Sequence, residues 1–376
     1  MYIPLNPNFK VSSAFPWQRS LPFCGQAWKS KPDDKVIEFS RGRWALALLA
    51  LNILRLKGRT KGAVFIPEYF CEISLTPLRT NHVKLYFYRI TPNFEPDIEH
   101  LNALAKQVGA PDLLLYVHYF GLPSQIRITA DWCKAKGVLL VEDAAHALMP
   151  IPGIGDNGYP TIFTPWKFFN VYEGALLVLP STMGDLVSEP DVRNMVSQYP
   201  WSWVAKKIMQ NLATCLALPL HRLRPIYVKR EDETESVPEI KNPSCSSFFE
   251  RALSHLVAQV ERVAEIRQRN YCLIDRLLTG IAIPIQQLFF SLPAKFGPYL
   301  YPLRIQNGRG REIMISLNRQ GIPALPWSDL SPEVANSKEY PLANALRREI
   351  LTLPVHQDLT EDQINWMMKE VICSTR

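Results

Sequence analysis

The first half of the chain alternates between short apolar segments and longer segments of helical character. The apolar segments have the length of strands and occupy residues 63–66, 83–88, 113–117 and 138–142. The longer segments have the length and composition of helices and occupy residues 43–56, 97–108 and 126–136. Buried strands that alternate with helices are typical of βαβ units. The pattern therefore predicts an α/β fold with a mainly parallel central sheet flanked by helices.

The second half is expected to add further helices and a smaller α/β unit. The predicted elements are a helix within 199–223, an exposed loop at 229–243, one or two helices at 248–278, a strand at 299–305, and helices at 309–320 and 361–371. A chain of 376 residues is long enough for two domains. We expect a surface segment at 1–35, a large domain at 36–250, and a bridging helix with a smaller C-terminal domain at 251–376.

Composition narrows the possible partners. The net charge of +7 and the pI of about 9.0 favour anionic ligands. No dense basic run is interleaved with aromatic residues, so nucleic acid is not an expected partner. The first ten residues lack the charged-then-apolar pattern of a secretion signal. No apolar run approaches the roughly 20 residues of a membrane-spanning helix, so no transmembrane segment is expected.

Cysteine usage indicates a reducing compartment. The seven cysteines are odd in number and form neither a CxxC pair nor a Cys/His metal-binding spacing. We therefore expect a reduced, cytoplasmic protein with no metal site.

Two polar residues stand where a parallel sheet binds its ligands, at the carboxyl ends of strands. Asp143 and His146 follow the predicted strand 138–142, and Lys167 lies downstream among Phe163, Trp166 and other aromatic residues. Desolvation by aromatic neighbours favours a neutral amine, which is the form that condenses with a carbonyl to a Schiff base. Taken singly, such an Asp is as often a helix cap, such a lysine is usually solvated, and such a histidine usually belongs to the core.

Several segments, in the same order along the chain, resemble one family. They are FSRGRWALALLAL, IPEYFCE, YVHYFGLP, VEDAAHA, FTPWKFFNVYEGALLV and LTLPVHQDLTEDQI, which together span about residues 36–376. These segments resemble motifs of the DegT/DnrJ/EryC1/StrS sugar aminotransferases. The resemblance implies the aspartate aminotransferase fold (fold type I), with pyridoxal 5′-phosphate as cofactor.

The resemblance also implies roles for three residues. Lys167 would bind the cofactor as a Schiff base and act as general acid and base. Asp143 would pair with the pyridinium nitrogen and keep it protonated, so that the ring accepts electrons. His146 would lie beside the ring, near its phenolic oxygen.

The resemblance implies further contacts to the cofactor. Gly42 and Arg43, at a helix N-terminus, would offer backbone amides to the phosphate, and Thr164 would add a hydroxyl. One of Tyr69 and Phe70 would stack on the ring, and spacing does not choose between them. On the residues alone, Gly42 and Thr164 are equally well explained as turn residues, and Tyr69 and Phe70 as core.

The sequence departs from the family pattern at two places. Where the family often has two adjacent glycines after the lysine, this chain has Glu173 and Gly174. The family's Asn-Tyr-Arg segment, which extends across a dimer, would fall near Asn242, Pro243 and Ser244 and is not preserved. The contact between subunits at the phosphate or substrate is therefore not predicted by the sequence.

The resemblance predicts an aminotransferase that acts as a homodimer. It would move an amino group from an amino acid, with glutamate as the expected donor, to a keto sugar. That sugar would be nucleotide-linked, in polysaccharide or amino-sugar biosynthesis. Two alternatives stay open: another reaction such as deoxysugar dehydration, against which Lys167 argues, or a degenerate fold with a binding or regulatory role.

Overall fold

The fold is taken from a computed structural model, which describes residues 3–9, 25–187, 200–215, 243–289, 292–306, 308–327, 329–335 and 337–375. The strands are β1 (Lys35–Phe39), β2 (Ala63–Pro67), β3 (Lys84–Tyr88), β4 (Leu113–Val117), β5 (Leu139–Ala144), β6 (Thr161–Phe163), β7 (Ala175–Leu179), β8 (Ile285–Gln287), β9 (Leu300–Ile305), β10 (Leu325–Pro326) and β11 (Ile350–Pro354). They form two sheets, one in each half of the chain.

Helices cover the sheets and join the two halves. They are α1 (Gly42–Leu56), α2 (Thr76–Thr80), α3 (Ile98–Val108), α4 (Ile126–Lys136), α5 (Trp166–Phe169), α6 (Trp201–Cys215), α7 (Ser247–Leu256), α8 (Val260–Leu278), α9 (Gly310–Arg319), α10 (Pro332–Ala335), α11 (Pro341–Glu349) and α12 (Glu361–Thr375).

The first sheet has seven strands in the order β1-β7-β6-β5-β4-β2-β3. The strands from β3 to β6 pair in parallel, and β7 runs antiparallel to both of its neighbours. The predicted mainly parallel sheet is therefore confirmed. Its central strands are buried on both faces, and the side chains of Leu113, Leu114 and Leu115 are fully enclosed. Burial on both faces explains why these strands are continuous apolar runs rather than alternating ones.

Local signals set the helix boundaries in this half. The side chain of Asp97 accepts a hydrogen bond from the backbone N–H of His100 and so caps α3. Gly137 ends α4 in the left-handed conformation that glycine adopts without strain. The helices predicted at 43–56, 97–108 and 126–136 are confirmed, and the first two differ by one residue at their starts.

The second half contains a four-stranded antiparallel sheet in the order β10-β11-β9-β8. The segment 248–278 forms two helices, α7 and α8, rather than one. The predicted helix within 199–223 is present as α6 over its described part. The loop predicted at 229–243 lies outside the described residues except for its last residue. Both apolar cores combine side chains from the two halves, and the division at residue 250 stays a prediction.

Part of the N-terminal segment is anchored in the core. The surface segment at 1–35 stays a prediction, and among its described residues the side chains of Ile3, Phe9 and Trp28 are at most 3% exposed. The indole N–H of Trp28 donates to the carbonyl oxygen of Leu148 at 2.9 Å. A tryptophan with a hydrogen-bond partner is stable in a core. The described parts of this segment therefore pack against the second core.

Two findings concern membrane-spanning helices and the cysteines. No helix in the described part of the chain is both long and apolar enough to cross a membrane. The cysteines at positions 71, 133, 245, 272 and 373 are free thiols.

The turn before β7 yields a test of packing. Gly174 has a φ of +129°, and a Cβ there would lie 1.8 Å from Cε2 of Phe249. We expect Gly174→Ala to lower the free energy of unfolding by about 2 kcal/mol or more, through strain and overpacking. Thermal unfolding would measure the loss. Gly184→Ala is the matched control, because its Cβ would meet no atom within 4 Å. Equal midpoints for the two variants would contradict the packing at Gly174.

Candidate active site

The predicted site residues meet at one edge of the first sheet. Because β2, β4, β5 and β6 run parallel, the residues that follow them emerge on the same side. Asp143 lies at the end of β5, Thr164 and Lys167 follow β6, and Gly42 begins α1 beside them. The topology therefore brings together residues that are up to 125 positions apart in the chain.

Asp143 is a half-buried residue at this edge. Its Oδ1 accepts a hydrogen bond from the backbone N–H of Ala145 at 2.8 Å. Burial raises the pKa of Asp143, and the positive charge of Lys167 opposes that rise. The charge of Lys167 therefore favours the ionised form of this carboxylate.

A buried polar group lies behind Asp143. The side chains of Glu142 and His118 are fully enclosed, with 2.8 Å between Oε2 and Nε2. The same Oε2 accepts from the backbone N–H of Gly155 and from Nδ2 of Asn157, each at 3.1 Å. The backbone N–H of His118 donates to the carbonyl oxygen of Asp143 at 3.0 Å. The pair therefore links the end of β4 to the end of β5.

Lys167 lies on the short helix α5, which Asn170 ends in a left-handed conformation. The Nζ atom is 5.5 Å from the ring centroid of Tyr299, a cation–π distance. Tyr299 comes from the second half, just before β9. The aromatic surroundings expected of Lys167 thus include a residue that no local pattern predicts.

His146 contacts two aromatic rings from the second half. Its ring centroid lies 5.3 Å from that of Tyr299 and 5.2 Å from that of Trp327. Burial lowers the pKa of His146 far below its usual value, and Lys167 adds to the effect. The imidazole is therefore neutral near pH 7 and available for hydrogen bonding. Gly121 packs against its backbone, where a Cβ would lie only 2.0 Å from the carbonyl oxygen of His146.

The N-terminus of α1 forms a close-fitting cradle. A Cβ at Gly42 would lie 3.0 Å from Cγ2 of Ile162 and 3.4 Å from Cγ2 of Thr164, so a larger residue would crowd this position. The Thr164 hydroxyl donates to the carbonyl oxygen of Ala145 at 2.6 Å, and its oxygen keeps its accepting capacity. Arg43 is partly exposed, with its guanidinium 5.7 Å from the ring of Trp44. A glycine backbone at a helix N-terminus suits an anion.

The structure buries both candidates for ring stacking. Tyr69 is 0% exposed and Phe70 is 6% exposed. The ring of Tyr69 stacks on that of Trp327, with centroids 4.8 Å apart and planes 17° apart. Trp327 in turn contacts His146 edge-on. Stacking of Tyr69 or Phe70 on a cofactor stays a prediction, and Trp327 is an aromatic residue of the site that the sequence analysis missed.

Glu173, at which the chain departs from the family pattern, forms buried hydrogen bonds. The buried Glu173 carboxylate accepts from the hydroxyl and backbone N–H of Ser246. The backbone N–H of Ser40 donates to the carbonyl oxygen of Pro243 at 2.9 Å, and that of Gly174 donates to Ser40 at 3.0 Å. The segment that replaces the family's Asn-Tyr-Arg is thus anchored within its own chain.

No group of three or more His, Cys, Asp or Glu side chains in the described part of the chain is arranged to bind a metal ion.

Comparison with known proteins identifies the fold. No family model matches the sequence, and no curated protein matches it. Solved structures do match. Spr1654 from Streptococcus pneumoniae, named as a sugar aminotransferase, is similar in its PMP form with a TM-score of 0.68 and 16% identity, over 100% of this chain and 98% of that one.

Two further structures are similar over most of their length. Helicobacter pylori PseC, an aminotransferase in pseudoaminic acid biosynthesis, gives a TM-score of 0.65 at 14% identity, covering 93% of this chain and 88% of that one. A DegT/DnrJ/EryC1/StrS aminotransferase from Brucella abortus gives 0.63 at 17%, covering 90% and 86%. The chain therefore has the fold of these aminotransferases, and the predicted fold class is confirmed.

The buried pair behind Asp143 can be tested by substitution. We expect Glu142→Ala to lower the free energy of unfolding by about 3 kcal/mol, because His118, Gly155 and Asn157 lose their shared acceptor. Chemical denaturation would measure the loss, with the exposed Glu99→Ala as control. Adding His118→Ala to Glu142→Ala should cost much less than His118→Ala alone. Additive losses would show that the two side chains do not interact.

Proposed function

We propose that this protein is a pyridoxal-phosphate-dependent aminotransferase that moves an amino group from an amino acid to a keto sugar. The observation that carries the proposal is the convergence of Lys167, Asp143 and His146 with the Gly42 cradle at one sheet edge. An amine, a carboxylate, a neutral imidazole and a helix N-terminus are the groups that a phosphorylated pyridine aldehyde needs. The fold of sugar aminotransferases supports the same conclusion.

The residues around the strand ends fit the cofactor. Gly42 leaves no side chain between the first turn of α1 and an incoming phosphate, and the dipole of a 15-residue helix favours negative charge there. Arg43 would add a backbone amide. Thr164 would contribute its hydroxyl after exchanging its bond to Ala145. Asp143, at the end of β5, would accept a hydrogen bond from a protonated ring nitrogen.

The cofactor, when bound, supplies an electron sink that stabilises negative charge at the amino donor's Cα. Lys167 would hold it through its amine and, once freed by the amino donor, would move a proton at Cα as general acid and base. The ring of Tyr299 beside Nζ limits the access of water to this amine. The neutral His146 donates or accepts a hydrogen bond without adding charge.

The substrates follow from chemistry and from the fold. The similarity to Spr1654, which is named as a sugar aminotransferase, supports a keto sugar as acceptor. The net charge of +7 favours an anionic, nucleotide-linked sugar, and glutamate is the proposed donor. Polysaccharide or amino-sugar biosynthesis in the cytoplasm, where free thiols persist, is the proposed setting. A homodimer is the proposed assembly.

A visible absorption spectrum tests the cofactor and its lysine together. After incubation with pyridoxal phosphate, the wild-type protein should be yellow, and glutamate should bleach the band. Lys167→Ala should lack the normal band and lose at least about 100-fold in the bleaching rate. The exposed Lys206→Ala should behave as wild type. A wild-type protein that stays colourless would exclude the enzyme and favour a binding role for the fold.

The acceptor is tested on the bleached protein. A UDP-linked 4-keto-6-deoxyhexose should restore the yellow band at a rate that rises with sugar concentration and saturates. 2-Oxoglutarate, the keto acid of the donor, is the positive control for amine return. Recovery with 2-oxoglutarate alone would leave the aminotransferase intact and contradict this sugar as the acceptor.

A further inference from the structure

Arg267 is a buried cation that the proposed reaction does not use. It lies in the middle of α8 and is 1% exposed. Its Nη1 donates to the carbonyl oxygens of Pro298 and Tyr299, each at 3.1 Å, and its Nη2 to that of Phe168 at 3.0 Å. Its Nε donates to Oε1 of Gln357 at 2.9 Å. The guanidinium therefore joins three separate segments of the chain to α8.

The charge has no ionic partner among the described residues. No carboxylate oxygen there lies within 4.0 Å of the guanidinium, and burial lowers the pKa of Arg267 to about 9. A buried charge is costly, whereas an apolar side chain of similar volume fills the same space without that cost. Methionine or leucine would therefore be enough if the side chain at position 267 served only to fill space. An apolar residue cannot supply the planar set of N–H donors that a guanidinium has.

Two of the bound carbonyls belong to the surroundings of Lys167. Phe168 directly follows Lys167, and its carbonyl oxygen also accepts a hydrogen bond from Nε2 of Gln357 at 3.1 Å. Tyr299 lies on the other side, with its ring 5.5 Å from the Lys167 amine. The Arg267 guanidinium also lies 5.0 Å from the ring of Phe168. One rigid group thus determines the separation between the backbone that carries Lys167 and the ring that covers its amine.

We propose that Arg267 is a positioning residue for Lys167, acting through the carbonyl oxygens of Phe168 and Tyr299. It couples α8 and β9 in the second half to the amine in the first. Arg267 itself touches neither the substrate nor the reacting atoms. The expected effect on reaction rates rests on the proposed function. The geometric claim concerns only where the Lys167 amine lies.

Two substitutions at position 267 distinguish the role of the positive charge from that of the planar set of N–H donors. Arg267→Lys keeps a positive charge but cannot bond both carbonyls in one plane, and Arg267→Met keeps volume only. We expect both variants to lower the limiting rate of the glutamate-dependent bleaching by about 10- to 100-fold, the loss typical of a misplaced catalytic group. The KM for glutamate should stay within about threefold, because donor binding does not involve position 267. Arg262→Met, an exposed change on the same helix, is the control.

A spectroscopic readout distinguishes positioning from a structural role. The visible circular dichroism per bound cofactor reports the asymmetry of its surroundings, and we expect both variants to lose at least about half of it. Thermal unfolding of the cofactor-free variants shows whether each is folded at the assay temperature. Folded variants with wild-type dichroism and wild-type bleaching rates would overturn the proposal. Full recovery by Arg267→Lys would also overturn it, since charge alone would then suffice.

A measurement without cofactor keeps the proposal separate from the proposed function. Acetic anhydride labelling of the cofactor-free protein, followed by peptide mass spectrometry, gives the reactivity of the Lys167 amine relative to that of the exposed Lys206. We expect Arg267→Lys and Arg267→Met to change this ratio by at least about threefold, because the Tyr299 ring no longer covers the amine. An unchanged ratio would contradict the positioning role. A colourless wild type with a changed ratio would reject the proposed function alone.

Discussion

The parallel alignment of β2, β4, β5 and β6 is the constraint on which the rest of the structure depends. The site has no continuous sequence, and its members meet only because parallel strands end at the same edge of the sheet. Side chains alternate between the two faces of a strand, so a slip of one residue in β5 would turn Asp143 away from Lys167. Enclosure of the central strands by apolar side chains makes such a slip costly, and the core thereby determines the site.

Buried polar groups beneath the site restrict the positions of its residues further than the sheet alone does. Glu142 with His118, Glu173 with Ser246, and Arg267 with three carbonyl oxygens each connect segments that are distant in the chain. Buried polar groups are tolerated when they are hydrogen-bonded, and their directional bonds restrict backbone positions more tightly than apolar contacts do. Each of them lies directly against a residue of the site or against its flanking backbone. The same groups therefore add to stability and to geometry.

The second half of the chain completes the site with aromatic rings. Tyr299 directly precedes β9 and Trp327 directly follows β10, and both contact His146. Together with Phe120 and Tyr69 they form a largely apolar wall of rings beside His146. Such a wall lowers the local dielectric, which strengthens the interaction between the charges that remain. The proposed chemistry thus depends on both halves.

The sequence by itself determined the parallel sheet, the helices α1, α3 and α4, and the strand-end residues Asp143, His146 and Lys167. These depend on local periodicity and on polar residues at strand ends, both of which are visible along the chain. Only the tertiary structure decided the burial of Ile3, Phe9 and Trp28, the stacking of Tyr69 on Trp327, and the placement of Tyr299 and Arg267 around Lys167. The physical reason is distance in the chain, because a contact between residues 132 positions apart leaves no periodic trace near either of them.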